Sequence, residues 1–212
     1  MSTARVICAG FGGQGVMSMG QLLTYAGMLE GKEVSWLPSY GPEMRGGTAN
    51  CAVTVSNEPV GSPLITDDAT AAILLNIPAF EKFKDDVIPG GKIIVNSSLI
   101  KEKVDRTDVD VYYIPANELA AELGNDKVAN MIMLGAYLKV SDTVDIESVL
   151  EAFKKVFGPR KEKFVPLNRE ALQKGMDATC SKQLTNKEKD VKKKTIELFL
   201  LSFLLISIKI FL

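Results

Sequence analysis

A short apolar run, Arg5-Val6-Ile7-Cys8-Ala9, leads straight into Gly10-Phe11-Gly12-Gly13-Gln14-Gly15, after which Val16, Met19, Leu22, Leu23, Ala26 and Leu29 recur at helical spacing. This order, buried strand then glycine turn then amphipathic helix, is how a Rossmann-like unit begins. Gly31 supplies the helix stop. Gly10, Gly12 and Gly15 fit the G-x-G-x-x-G spacing. Glycines let the backbone turn tightly and approach a ligand, and the free N–H groups and dipole of the following helix favour a phosphate. A tight turn without a ligand is the competing reading. A nicotinamide or flavin site also needs a carboxylate about 20 residues further on, at the end of the second strand. That strand, Glu33 to Leu37, is expected to end at Pro38 and closes as Ser35-Trp36-Leu37-Pro38, with Glu33 at the wrong end. A dinucleotide site is therefore disfavoured.

The next stretch departs from a simple alternation. Pro38-Ser39-Tyr40-Gly41-Pro42-Glu43-Met44-Arg45-Gly46-Gly47 holds two prolines and three glycines in ten residues, so it cannot be a crossover helix. It reads as a long shaped loop before a strand from Thr48 to Val55, and such loops often carry function. Further strands are expected at Ala71 to Leu75, Lys92 to Asn96 and Val109 to Ile114. Helices are expected at Pro78 to Lys84, Asn117 to Leu123, Val128 to Lys139, Asp145 to Phe157 and Asn168 to Thr179. The fold class is α/β, Rossmann-like, with a mainly parallel sheet and helices on both faces. Residues 1–180 read as one domain. From Ser181 the composition turns to Lys, Asn, Asp and Glu and then to an apolar run from Ile196 to Leu212. Three readings of this tail stay open: a membrane anchor at the lower limit of spanning length, a helix packed on a partner, and an aberrant C-terminus.

Absences narrow the chemistry. The 212 residues contain no histidine, which excludes Ser-His-Asp and Cys-His pairs, imidazole metal sites and histidine acid–base catalysis. Cys8, Cys51 and Cys180 are far apart and form no C-x-x-C, so this chain alone builds neither an iron–sulfur site nor a zinc knuckle. Cys8 and Cys51 sit in apolar runs and read as small buried hydrophobes. An odd cysteine count without a signal peptide points to the cytoplasm. Net charge is −1, so no basic field calls for nucleic acid. No catalytic side chain and no metal ligand is assigned. The pairs Asp67-Asp68 and Asp85-Asp86 read as capping or solvated carboxylates, and Met17, Met19, Met131 and Met133 as packing. Arg160, Lys161 and Lys163, after Gly158-Pro159, read as an exposed turn, with a phosphate patch as the alternative.

Taken together, Gly10-Phe11-Gly12-Gly13-Gln14-Gly15-Val16 and Ser39-Tyr40-Gly41-Pro42-Glu43-Met44-Arg45-Gly46-Gly47-Thr48 resemble the gamma subunit, or gamma domain, of the 2-oxoacid:ferredoxin oxidoreductase family. The resemblance covers about residues 4 to 180. It implies a subunit, inactive alone, of an enzyme that converts a 2-oxoacid, coenzyme A and two oxidised ferredoxins into an acyl-CoA, carbon dioxide and two reduced ferredoxins. The 2-oxoglutarate and branched-chain members are favoured. Thiamine diphosphate, Mg and 4Fe-4S clusters are expected in the alpha, beta and, where present, delta subunits, none of them on this chain. Coenzyme A is the expected co-substrate here and ferredoxin the acceptor, and a membrane is disfavoured as a partner. Gly10, Phe11, Gly12, Gly13, Gln14 and Gly15 would form the phosphate cradle, with Gln14 donating to a phosphate or ribose oxygen. Ser39, Tyr40, Arg45, Gly46 and Gly47 would complete the site, Arg45 pairing with phosphate or carboxylate and Tyr40 stacking at a subunit boundary. An architectural role for the second loop stays open, as do a free-standing nucleotide- or CoA-binding module and a membrane-tethered adaptor.

Overall fold

The computed structural model describes residues 3–42 and 46–179. Glu43, Met44 and Arg45, and the tail on which the three readings above fall, lie outside the described residues. In chain order the strands are β1 Ala4–Phe11, β2 Glu33–Tyr40, β3 Thr48–Ser56, β4 Ala69–Leu74, β5 Val87–Asn96 and β6 Asp110–Ile114. The helices are α1 Val16–Leu29, α2 Ile77–Phe83, α3 Ala116–Glu122, α4 Ala129–Ser141, α5 Ile146–Phe157 and α6 165–179.

The described strands form one six-stranded sheet in the order β2-β3-β1-β4-β5-β6. Pairs β1–β4, β4–β5 and β5–β6 are parallel, whereas β3 pairs antiparallel with both β1 and β2. β3 alone runs against the rest, because it returns from β2 through a short hairpin rather than a crossover helix. The sheet is therefore mixed, with the mainly parallel character that the alternation of strands and helices predicts. Side chains alternate across it. Val6, Cys8, Ile73 and Ile94 join a large core with α1, α3, α4, α5 and α6, while Ile7, Ala9, Leu74 and Ile93 join a smaller one under α2 and Ile100.

Local chemistry explains the element ends. Gly31 has φ 72°, its N–H donates to the Met28 carbonyl at 3.1 Å, and Lys32 N–H donates to Gly27 at 3.0 Å. This is the Schellman arrangement expected of a C-terminal glycine. Asn76 caps α2, its Oδ1 accepting from Ala79 N–H at 2.9 Å. Two expected boundaries move. β2 does not end at Leu37 but continues through Pro38 to Tyr40, and Pro38 is tolerated because β2 is an edge strand. The connection between β2 and β3 is thereby shortened to the residues between Tyr40 and Thr48. β5 begins at Val87 rather than Lys92, taking in Pro89, Gly90 and Gly91, with a register shift opposite Ala69/Ala71. Among the described residues no helix is long and apolar enough to cross a membrane.

Candidate functional site

β1 and α1 are joined at Gly12 to Gly15 by backbone that only glycine adopts freely: Gly13 has φ 102° and Gly15 φ 78°. Gln14 N–H closes the turn onto the Phe11 carbonyl at 3.1 Å. The Gln14 side chain then folds back, its Oε1 accepting from Phe11 N–H at 2.7 Å and from Asn76 Nδ2 at 3.4 Å. Its oxygen pins the turn to the end of β4, and its amide nitrogen, the group expected to donate to a phosphate or ribose oxygen, has no partner among the described residues. Gly10 serves packing rather than ligand approach, since a Cβ there would meet Gln14 Oε1 at 2.7 Å and Leu75 Cβ at 3.0 Å.

The two glycine-rich segments touch. Gly12 N–H donates to the Gly47 carbonyl at 2.9 Å, Gly46 N–H donates to the Gly12 carbonyl at 3.3 Å, and Gly46 has φ 75°. This removes Gly12 N–H from the donors open to an anion. Those that remain are Gly13 and Gly15 together with the first three helical N–H groups, Val16, Met17 and Ser18, which no i−4 carbonyl can reach. Met19 N–H already bonds the Gly15 carbonyl at 3.0 Å. Because Gly15 is the N-cap, no side chain caps α1. These donors and the positive end of a 14-residue helix are left to whatever binds there.

They open into a cleft of about 550 Å³ lined by Phe11, Gly12, Gly13, Gly15, Tyr40 and Ala49, among others. Tyr40 is 48% exposed and lines this cleft, whereas Ser39, its neighbour on β2, projects from the opposite face. The structure thus gathers Phe11 to Gly15 with Tyr40, Gly46 and Gly47. It leaves Gly10 and Ser39 aside, and Arg45 lies outside the described residues. Sequence reasoning missed Asn130 at the start of α4, which donates to the Gly15 carbonyl at 3.2 Å and whose Nδ2 sits where a Gly15 Cβ would come within 2.5 Å. It also missed Asn76. A lone asparagine at a helix start carries no sequence signal beyond capping.

Cys8 and Cys51 are register partners across β1 and β3 and are fully buried. The hydrogen bond with Cys51 and burial hold the Cys8 thiol well above its ordinary value, while the same contact lowers that of Cys51, and both side chains pack inside the core as small hydrophobes. Asp68 pairs with Arg5 at 2.7 Å at the start of the central strands β1 and β4, the opposite end of β1 from the cleft. Among the described residues no group of three Cys, Asp or Glu is placed to hold a metal.

The family described as pyruvate ferredoxin/flavodoxin oxidoreductase matches residues 5–178. Ketoisovalerate oxidoreductase subunit VorA of Methanothermobacter thermautotrophicus is 42% identical over 174 residues, which are 82% of this chain and 36% of that protein. The chain thus spans about a third of the ketoisovalerate subunits it matches. 2-Oxoglutarate synthase subunit KorC of Methanocaldococcus jannaschii is 37% identical over 147 residues, 68% of this chain and 78% of that one. Among solved structures, the gamma subunit of a keto/oxoacid ferredoxin oxidoreductase from Geobacter sulfurreducens aligns with TM-score 0.69 and 28% identity, covering 85% of this chain and 99% of that one. The 2-oxoglutarate:ferredoxin oxidoreductase of Magnetococcus marinus, solved with 2-oxoglutarate, coenzyme A and succinyl-CoA bound, aligns with TM-score 0.77 and 26% identity, over 85% of this chain and 32% of that one.

Proposed function

This chain belongs to the pyruvate ferredoxin/flavodoxin oxidoreductase family, and from that premise we propose that it is the gamma-type subunit of a cytoplasmic, CoA-acylating 2-oxoacid:ferredoxin oxidoreductase. In the overall reaction a 2-oxoacid and CoA lose carbon dioxide, the thiol proton and two electrons, the electrons pass singly to two ferredoxins, and the acyl group ends on the CoA sulfur. Thiamine diphosphate, Mg and 4Fe-4S clusters belong to the alpha, beta and delta partners and supply the carbanion and electron-transfer chemistry there.

This chain's own part is binding. Without histidine, and with its described cysteines sealed in the core, it positions rather than reacts. The N–H groups of Gly13, Gly15, Val16, Met17 and Ser18 receive a CoA phosphate, the Gln14 amide adds a donor, and Tyr40 closes one side. Gly46 and Gly47 lie against the turn, and Arg45, which precedes them in the sequence, is the cation of the second motif. One observation carries this reading: the pair of hydrogen bonds between Gly12 and the Gly46-Gly47 segment, which makes one cradle of two motifs beside an uncapped helix. The likeness to the Magnetococcus enzyme, solved with coenzyme A, supports it. The named relatives favour 2-ketoisovalerate and 2-oxoglutarate as substrates.

The test is purification of the assembled complex from its own cells, followed by viologen reduction with each 2-oxoacid, with and without CoA. CoA-dependent reduction is expected. In the same complex Arg45→Ala should raise the KM for CoA while the subunits still co-purify. Loss of co-purification would make the loop architectural, and an unchanged enzyme would remove Arg45 from both roles.

A further inference from the structure

Behind the cleft lies a second pocket, of about 380 Å³, that shares Gly15 and Ser18 with it. Its volume lies within the range of small-ligand sites, roughly 300–1,000 Å³. Phe153 and Phe157 wall it with ring centroids 4.8 Å apart at 53°, joined by Phe164, which is 36% exposed. Two of its lining residues are asparagines that are nearly sealed, Asn130 at 7% and Asn168 at 5% exposure. Each spends its amide nitrogen on a main-chain carbonyl, Asn130 on Gly15 at 3.2 Å and Asn168 on Phe164 at 2.8 Å. Their side-chain carbonyl oxygens have no partner among the described residues. The pocket is therefore lined by aromatic walls and by two largely buried asparagines whose carbonyls have no donor among the described residues. Exposed Lys127 and Lys161 also line it, and neither forms a salt bridge with a described residue.

We infer that this pocket receives the adenine ring of the coenzyme whose phosphate the glycine turn holds, with Lys127 and Lys161 on its 3′-phosphate. The inference rests on the CoA-binding reading above and extends it. A flat π-system suits the phenylalanine walls, and an exocyclic amine supplies the donor that the Asn130 and Asn168 carbonyls lack. A pantetheine arm has amide N–H donors but no ring, and it leaves the two lysines without an anion. The shared Gly15 and Ser18 join the two sites, as a nucleotide bridging pyrophosphate and adenine requires. The 3-10 turn Pro159–Phe164 carries Lys161, so of the two sequence readings of this segment, exposed turn and phosphate patch, the inference takes the second.

In the assembled complex, the KM for CoA and for 3′-dephospho-CoA separates the contributions. Lys161→Ala and Lys127→Ala should each raise the KM for CoA about tenfold, the loss of one charge-assisted contact, and leave that for 3′-dephospho-CoA within about twofold. Adenosine 3′,5′-bisphosphate should compete with CoA in the parent complex and far less in the double variant. Equal losses for both coenzymes would overturn the inference. So would competition by inorganic pyrophosphate but not by the bisphosphate, which is the outcome if a partner chain fills the pocket. A complex whose 2-oxoacid oxidation needs no CoA would instead overturn the underlying reading.

Discussion

The carbonyl oxygen of Gln14 stands where Phe11 N–H needs an acceptor as β1 leaves the sheet, at 2.7 Å. Replacing the side chain leaves that N–H and the Asn76 amide unpaired in a partly buried turn, which costs about 1–3 kcal/mol. Gln14→Ala should lower the urea midpoint accordingly with an unchanged denaturant slope. Gln14→Glu keeps both acceptor contacts, because a carboxylate oxygen accepts as readily, so most of the stability should return. Yet the new negative charge faces the donors meant for a phosphate, and the complex carrying Gln14→Glu should need more CoA. If Gln14→Ala is as stable as the parent, Gln14 does not pin the turn. The sequence shows an amide in a glycine motif and suggests a ligand donor. Only the folded chain shows that its oxygen is already committed.

Periodicity is local, so most elements were legible: α1 through its apolar spacing and Gly31, β3 after a proline- and glycine-rich stretch, α5 from Asp145 onward. What depends on neighbours was not. β2 runs past Pro38 because no described strand pairs with its outer edge, a fact about sheet order rather than about proline. The second pocket draws Gly15, Asn130, Phe157 and Lys161 from four separate segments, and no local pattern links them. The contact between α4 and α6 is the sharpest case. A Cβ on Gly135 would lie 2.0 Å from the Leu172 carbonyl oxygen, and one on Gly175 would lie 1.9 Å from that of Ile132. Backbone meets backbone there, with no flexible side chain to give way. Gly135→Ala should therefore cost about 3 kcal/mol or more, the upper end for overpacking. Gly31→Ala, with open space around a left-handed φ of 72°, should cost only about 1–2 kcal/mol. Thermal or urea unfolding of the two variants gives the order, and equal losses would mean that the helices separate easily.

At the scale of the molecule, the central strands serve two cores at once. β1 sends Val6 and Cys8 to one side and Ile7 and Ala9 to the other, and β4 does the same with Ile73 and Leu74. Neither core can melt without stripping one face of the strands that the other needs. A chain ending at Thr179 holds both cores, and we propose that it is the folding unit, with the division from the tail near residue 180. Such a chain should unfold in one transition by fluorescence and circular dichroism alike. Leu74 is fully buried in the smaller core, so Leu74→Ala should cost about 2–5 kcal/mol. That loss should shift the whole transition, including the fluorescence of Trp36, which packs against the larger core. The denaturant slope should stay the same, since the surface exposed on unfolding hardly changes. If Leu74→Ala instead produced an early step in which the α2 side unfolds while Trp36 keeps its folded signal, the sheet would not couple its two faces. The cradle at the end of β1 would then rest on the larger core alone.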